Sequence, residues 1–223
     1  MRDIIAPFLY NEFMKTVLCF GDSNTRGYNP LNLGRLPYDD RYPGALQNIL
    51  GNEYYVIEEG LDGRTTMLLR EDEPFRNANY CIRPCICSHK PIDYMIVMLG
   101  TNDCLKAFNL NSKDIARGMD SLIQQIHTYS KLHQEYIPKI ILACPAFIDA
   151  NYYDSDAKDL LDDESPKKSK ELVEYYKIIA KKYDCIFFNC NEYIKTMLPD
   201  AIHIDANSHK ILAHEFAKII KAN

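Results

Sequence analysis

The 223-residue sequence predicts an α/β protein in which a parallel, doubly wound sheet carries helices on both faces. Short apolar segments alternate with longer segments of helical periodicity along most of the chain. One apolar segment, DYMIVML at 93–99, runs unbroken to Gly100, which is typical of a central strand buried on both faces. The chain has no internal repeat and no low-complexity linker, and its length fits a single domain.

The first half of the chain supplies three strands and a helix. Residues 16–20 predict a short buried strand, and 42–50 predict a helix. Residues 54–58 predict the second strand, and 93–99 the central one.

The second half repeats the alternation. A long helix is predicted at 112–133, with Ser112 as its N-cap. Its apolar positions keep helical spacing: Ile115, Met119, Leu122, Ile123 and Ile126. The next strand, 139–143, is ended by Pro145. The remaining predicted elements are a helix at 166–183, a strand at 184–188 and a closing helix at 207–221.

Two long connections interrupt this alternation, at 70–91 and at 149–165. The second contains the acidic run DAKDLLDDE, and we expect it to be a solvated surface loop.

Composition limits the partners and the compartment. The formal charge is −5, from 26 basic and 31 acidic residues, and no run of Lys or Arg is present. This argues against nucleic acid and anionic membranes as partners. No apolar segment reaches the ~18 residues that span a bilayer. Residues 1–13 lack the features of a signal peptide, so we expect an N-terminal extension there, followed by one domain at 14–223.

Eight cysteines are spread over the chain, several of them inside apolar strand-like runs. That placement favours reduced, buried thiols in a cytoplasmic protein over a disulfide framework. Cys81, Cys85, Cys87 and His89 lie close together in sequence, and zinc binding is the alternative reading. Because no second paired cysteine motif accompanies them, structural thiols are favoured and no metal site is predicted.

Four polar segments follow apolar ones. Ser23 lies in VLCFGDSN, GLDGRTT occupies 60–66, LGTND occupies 99–103, and Asp200 and His203 lie in PDAIHID. In open parallel sheets, ligands bind at the carboxyl ends of the strands. We therefore expect these segments to meet at one edge of the sheet.

The residue types at this edge predict a serine hydrolase. A serine hydroxyl needs a neighbouring base, and histidine, with an unperturbed pKa of ~6.5, is suited to that role. The base in turn needs a carboxylate to orient it. Of the six histidines, only His203 combines a position just before a helix with an aspartate, Asp200, three residues earlier.

A developing oxyanion also needs donors. The backbone N–H groups of Ser23 and Gly63 and the side-chain amide of Asn102 are the candidates for this oxyanion hole. Gly63 or Asn102 taken alone is better interpreted as a turn residue. Their joint occurrence favours the functional reading.

The four blocks resemble those of the SGNH (GDSL-type) hydrolase superfamily: GDSN at 21–24, G-x-x-G-R-T-T at 60–66, G-T-N-D at 100–103 and D-x-x-H at 200–203. The similarity runs from about residue 15 onward and is greatest to the arylesterase, acyltransferase and carbohydrate-esterase branch. It implies a flavodoxin-like three-layer α/β/α sandwich. It also implies Ser23 as nucleophile, His203 as base and Asp200 as its orienter, with the oxyanion hole named above.

The chain departs from that branch at two positions. Arg26 stands where relatives often carry Trp, and Asp62 stands where Ser or Asn is common. We expect Arg26 to lie at the mouth of the pocket and to change its polarity. Asp22, Arg64 and Asp103 are expected to support the loops rather than to react.

These observations predict a cytoplasmic serine esterase that hydrolyses short-chain acyl esters, such as acetyl esters, through an acyl-serine intermediate. Its partner is a small-molecule ester, and no cofactor is implied. The resemblance implies a homo-oligomer. An acyltransferase that moves the acyl group to an alcohol is the nearest alternative. A non-catalytic flavodoxin-like ligand-binding module is the other, and the lack of a Gly-rich phosphate loop before a helix counts against it.

Overall fold

The computed structural model describes residues 14–68 and 72–223. The extension predicted at 1–13 lies outside the described residues, as does a small part of the 70–91 connection.

A five-stranded parallel sheet forms the centre of the fold. Its strands, with a short antiparallel pair numbered among them, are β1 (Lys15–Gly21), β2 (Tyr28–Asn29), β3 (Gly34–Arg35), β4 (Tyr54–Gly60), β5 (Tyr94–Met98), β6 (Lys139–Cys144) and β7 (Ile186–Asn189). The order in the main sheet is β4-β1-β5-β6-β7, with every pairing parallel. Counting only these five strands, this is the 2-1-3-4-5 order of flavodoxin-like folds, so the predicted fold class is confirmed.

Helices cover both faces of this sheet. They are α1 (Ser23–Arg26), α2 (Tyr42–Leu50), α3 (Ala78–His89), α4 (Ser112–Gln134), α5 (Glu164–Lys182) and α6 (Ala206–Ala222). Helices α2 and α6 pack together over one hydrophobic cluster, whereas α3, α4 and α5 cover the other. Alternate residues of β1 divide between the two clusters: Leu18 and Phe20 face one, Val17 and Cys19 the other.

The position of the site follows from the point where the strand order of the sheet reverses. Strands β1 and β5 are neighbours, but the chain leaves them toward different parts of the sheet. The crevice outside their carboxyl ends is where such folds bind ligands. Ser23 follows β1 there and Asn102 follows β5.

The connection predicted at 70–91 contains a helix that the sequence analysis did not predict. Most of it is α3, preceded by a short 3-10 turn at Pro74–Arg76. Ile82 and Ile86 of this helix are fully buried against the sheet. Pro84 lies inside the helix, and an interior proline normally argues against one.

The acidic connection at 149–165 is more closely packed than a solvated loop. Ala157 and Leu161 are buried in the core beneath α4 and α5. The Ser165 hydroxyl donates to the carbonyl of Cys104 at 2.8 Å, which fixes the end of the connection to the loop after β5.

The cap of α4 is also corrected. Asn111, not Ser112, is the N-cap, because its side chain accepts the N–H of Asp114 at 3.0 Å. Ser112 begins the helix, and its hydroxyl bonds the Glu171 carboxylate of α5 at 2.6 Å.

None of the helices within the described residues is both long enough and apolar enough to cross a lipid bilayer.

Candidate active site

Ser23 is the first residue of α1, directly beyond β1. The side chain of Asp22 accepts the N–H of Asn24 at 2.9 Å and so caps this single-turn helix. Gly27 ends the turn in the left-handed region, at φ +81°, where a side chain is strained. The turn is short because both of its ends are fixed, and it holds the largely buried Ser23 at the sheet edge.

Ser23, His203 and Asp200 form one continuous chain of hydrogen bonds. His203 Nε2 lies 2.8 Å from Ser23 Oγ, and His203 Nδ1 lies 2.5 Å from Asp200 Oδ2. Asp200 and His203 come from the loop before α6, and His203 is 180 residues away from Ser23 in sequence. The structure thus brings together the three residues predicted from the sequence motifs.

The Asp200 carboxylate is held in its ionised form. Burial alone raises its pKa, but hydrogen bonds from the side chain and backbone of His203 and from the N–H of Ile202 outweigh that effect and lower the pKa below its usual value. Both N–H groups donate to Oδ1 at 2.9 Å, so Oδ2 is left for the imidazole. Because an ionised carboxylate only accepts, the Nδ1 of His203 carries the proton and its Nε2 can accept the proton of Ser23.

Of the three predicted oxyanion donors, one is the N–H of Ser23 itself, and the other two, Gly63 and Asn102, follow β4 and β5. Gly63 has φ +70°, in the left-handed region, so this loop position favours glycine. The N–H of Gly63 donates no hydrogen bond within 14–68 and 72–223. Asn102 Nδ2 donates to the Arg64 carbonyl at 3.0 Å, and a second, longer approach of 3.5 Å leads to Asp22 Oδ2. One N–H of the Asn102 amide is therefore anchored, and its other N–H is directed toward the Asp22–Ser23 turn.

The three residues expected to support these loops are all buried. Arg64 donates to the carbonyls of Gly21 and Glu59, and its guanidinium lies 4.3 Å from the centre of the Phe20 ring. Asp103 accepts the N–H of Thr66 at 3.0 Å and its hydroxyl at 2.6 Å. These contacts join the loop after β4 to the ends of β1 and β5.

Burial raises the pKa of two of these carboxyl groups. The pKa of Asp22 rises to about 7, and that of Asp103 rises to about 6. In each case hydrogen bonds from the backbone or from Thr66 partly offset the burial.

Sequence reasoning missed two residues of the site. The ring of Tyr28 packs on His203 with a centroid distance of 4.4 Å. The Asn24 side chain bonds the backbone of the two residues that flank His203. Its Oδ1 accepts the N–H of Ile204 at 3.2 Å, and its Nδ2 donates to the carbonyl of Ile202 at 3.4 Å. Asn24 belongs to the GDSN block, so the sequence motif could have indicated its role. Tyr28 lies in no motif, so nothing in the sequence indicates its contact with His203.

Arg26 and Asp62, the two residues that depart from the pattern of the arylesterase and carbohydrate-esterase branch, lie next to each other. Arg26 Nη1 and Asp62 Oδ2 form an ion pair at 3.1 Å. Both side chains are partly exposed, at 34% and 43%.

The cysteine–histidine cluster is rearranged relative to the sequence motif. Cys87 is exposed, and the Cys81 thiol bonds the Phe75 carbonyl. Cys85 and His89, one helical turn apart, instead meet Glu59 of β4, and one potential ligand atom from each lies within 4.8 Å of the others. These three residues are the group within the described chain that could hold a metal ion. The Glu59 carboxylate already bonds His89 at 2.7 Å.

Sequence comparison agrees with this geometry. A profile of the GDSL-like lipase/acylhydrolase family matches residues 19–211. An acetylxylan esterase of Xylanibacter ruminicola is 36% identical over 103 residues, which is 46% of this chain and 19% of that protein. The matched region is thus about a fifth of the length of that curated relative.

Solved structures resemble the chain over almost its full length. Est24, a carbohydrate acetylesterase from Sinorhizobium meliloti, is 33% identical with a TM-score of 0.84, and the alignment covers 93% of this chain and 99% of that one. The native aryl esterase of M. smegmatis is 31% identical with the same TM-score and the same coverage.

Proposed function

The chain belongs to the GDSL-like lipase/acylhydrolase family, and from that membership we propose that it is a serine esterase acting on short-chain acyl esters, acetyl esters above all. The observation that carries the proposal is the hydrogen-bond chain from Ser23 through His203 to Asp200. The names of the related carbohydrate acetylesterase, aryl esterase and acetylxylan esterase support the ester class and the small acyl group.

The first half of the reaction makes an acyl-enzyme. His203 Nε2 takes the proton of Ser23 as Oγ forms a bond to the carbonyl carbon of the ester. The imidazolium that results is stabilised by the Asp200 carboxylate on Nδ1. His203 then gives the proton to the leaving alcohol oxygen as the carbon–oxygen bond breaks, and acyl-Ser23 remains.

The negative charge on the carbonyl oxygen needs donors that are already in place. Ser23 and Gly63 supply backbone N–H groups, and Asn102 supplies the amide N–H whose other contact is the long 3.5 Å approach to Asp22 Oδ2. These groups are held by the buried contacts of Arg64 and Asp103, so they need little reorganisation as charge develops.

The second half releases the acid. His203 Nε2 takes a proton from water, and the hydroxide oxygen attacks acyl-Ser23. The proton on His203 then returns to Ser23 Oγ as the carboxylic acid leaves, which restores the starting state. No step draws on a cofactor.

The same proposal assigns residues 14–223 to a single hydrolase domain. It places the protein in the cytoplasm, a location supported by the eight free cysteines, four of which are buried. A homo-oligomer belongs to the proposal as well.

Two measurements test this function together. A phosphonate probe should label Ser23 and no other serine, as read by mass spectrometry of the labelled peptide. A series of p-nitrophenyl esters should be hydrolysed fastest at acetyl, and Ser23→Ala should lower kcat by about 10³–10⁶. Labelling elsewhere, or a fully active alanine variant, would overturn the proposal.

A matched pair separates the orienting role of Asp200 from a structural one. Asp200→Asn should lower kcat strongly while the protein stays folded, because the amide can stabilise the wrong tautomer of His203. Asp205→Asn changes the cap of α6 in the same segment and should leave kcat largely intact.

A further inference from the structure

Arg26 and Asp62 form their ion pair directly beside the reacting groups. Arg26 ends the helix that Ser23 begins, and Asp62 immediately precedes Gly63. Gly60 lies so close to the backbone of Arg26 that a Cβ at Gly60 would collide with it. The loop after β4 is therefore held against α1, which brings Asp62 and Arg26 together.

The pair leaves hydrogen-bonding capacity unused. Its one internal contact joins Arg26 Nη1 to Asp62 Oδ2. Asp62 Oδ1 is covered and has no hydrogen-bond partner within the described residues. Because Oδ1 is covered, the groups open to a ligand are the remaining N–H donors of the partly exposed Arg26 guanidinium and the Oδ2 side of the Asp62 carboxylate.

The ligand group that fits such a pair is a neutral one that both donates and accepts hydrogen bonds. The two charges offset each other, so neither an anion nor a cation is favoured. A hydroxyl group can accept from Arg26 while it donates to Asp62. An apolar alcohol would displace water from both side chains and replace none of its hydrogen bonds.

On the basis of the proposed esterase function, we infer that Arg26 and Asp62 are specificity-determining residues that select esters whose alcohol part carries hydroxyl groups next to the acylated position. Monoacetylated sugars are the substrate class with this chemistry. A tryptophan and a serine at the two positions favour instead an apolar or aromatic alcohol.

Two substrates isolate the hydroxyl groups. A monoacetylated pyranose and cyclohexyl acetate have the same acyl group and the same ring size, but only the first has free hydroxyls. The quantity to measure is the ratio of kcat/KM for the sugar ester to that for cyclohexyl acetate. We expect Arg26→Trp and Asp62→Ser each to lower this ratio by about tenfold or more, because each removes one of the two partners of a hydroxyl.

A matched surface variant controls for the loss of an exposed arginine. Arg117 pairs with Asp114 on α4 at 2.7 Å, away from the site, and Arg117→Trp should leave the ratio unchanged. Asp62→Asn, which keeps the shape of the side chain, provides a second variant if Asp62→Ser folds poorly, and its ratio should also fall.

The outcomes distinguish this inference from the function on which it rests. Hydrolysis of both esters with a ratio that Arg26→Trp and the Asp62 variants do not lower would overturn the specificity role alone. Failure of the unmodified enzyme to hydrolyse either ester would overturn the esterase function and the specificity role together.

Discussion

Asn24 joins the two distant segments of the site at the scale of a single residue. Its buried side chain bonds the backbone on both sides of His203, and the residue itself directly follows Ser23. The distance between nucleophile and base is therefore set by a neighbour of the nucleophile rather than by the long chain between them. This explains how a 2.8 Å contact is maintained across 180 residues.

Asn102→Ala tests the oxyanion role of the Asn102 amide. Because the amide N–H would act mainly in the transition state, we expect kcat to fall by about 10²–10³ with little change in KM. Asn102→Asp should be as poor or worse, since a carboxylate repels the developing charge. Steady-state kinetics and the melting temperature should be measured on the same preparation.

Asn79→Ala is the matched control. Asn79 also holds a loop through its amide, donating to the carbonyls of Thr66 at 2.7 Å and Gly118 at 3.1 Å, but it does not touch Ser23. It should lower the melting temperature and keep kcat. If Asn102→Ala behaves in the same way, Asn102 only holds a turn.

His209 predicts a pH-dependent contribution to stability. Burial lowers its pKa to about 3, and its Nδ1 accepts the N–H of Tyr42 at 3.2 Å. In the unfolded chain histidine titrates near ~6.5. Between these values the unfolded state binds more protons, so stability falls as the pH drops below ~6.5.

His209→Asn removes this titration and offers an oxygen in place of Nδ1. On going from pH 7.5 to 5, the free energy of unfolding should fall by about 2 kcal/mol more in the unmodified protein than in the variant. Asp22 and Asp103, whose raised pKa values act in the opposite direction, are present in both proteins. Urea titrations at each pH provide the measurement, and parallel pH profiles for the two proteins would rule the effect out.

At this scale the sequence predicted the contacts among Ser23, His203 and Asp200 but not the contacts of the residues around them. Ser23, Asp200 and His203 could be predicted because their chemistry and spacing are distinctive. Arg26 and Asp62 each stood out as a departure, but their ion pair depends on how closely α1 packs on Gly60. The contact of Tyr28 with His203 likewise arises only from tertiary packing.

At the scale of an element, α3 is the longest one that sequence reasoning missed. Its proline and its polar positions weaken the local helical signal, whereas burial of Ile82 and Ile86 stabilises the helix through packing. The other predicted strands and helices were found, with ends that differ by one or two residues in most cases. The short β2–β3 pair was not predicted either, because two-residue strands have no periodicity to detect.

Pro84→Ala tests the cost of the proline inside α3. Pro84 is exposed and cannot donate the backbone hydrogen bond to the preceding turn. Alanine restores that donor, although it also adds freedom to the unfolded chain. We expect the free energy of unfolding to rise by about 1–2 kcal/mol.

Urea denaturation followed by far-UV circular dichroism is the measurement. Ser88→Ala, at another exposed position of α3, is the control and should have an effect of less than about 0.5 kcal/mol. Equal or lower stability of Pro84→Ala would mean that the helix is shaped around the proline.

At the scale of the whole molecule, we expect a homo-oligomer that prefers acetyl to octanoyl esters. Leu31 and Leu33, 70% and 76% exposed, lie in the turn between β2 and β3, close to Tyr28. A second copy that covers them would also narrow the approach to His203. Light scattering should give a molar mass of more than one chain, and Leu33→Asp should lower this mass toward that of a monomer.

Leu132→Asp, at a 65% exposed position on α4, should leave the assembly unchanged. A monomeric protein that prefers octanoyl esters would contradict both parts of this expectation.

Esterase activity should also be independent of metal ions. The proposed steps use only Ser23, His203, Asp200 and N–H donors, and the Glu59–Cys85–His89 group lies outside them. Prolonged treatment with EDTA or phenanthroline should leave kcat unchanged, with metal content followed by elemental analysis. The contrary result would be stoichiometric zinc that the chelator removes together with the activity. If Cys85→Ser also loses both the zinc and the activity, the Glu59–Cys85–His89 group has a role in the reaction.

The long sequence separation between Ser23 and His203 has a consequence during translation. A ribosome synthesises the serine turn 180 residues before the histidine that activates it. Until the segment that carries this histidine docks on Asn24, the nascent chain carries a serine without a base, which cannot react with the esters around it. Reactivity then arises in a single late event, so a stalled or prematurely terminated chain is chemically silent rather than a partly active enzyme.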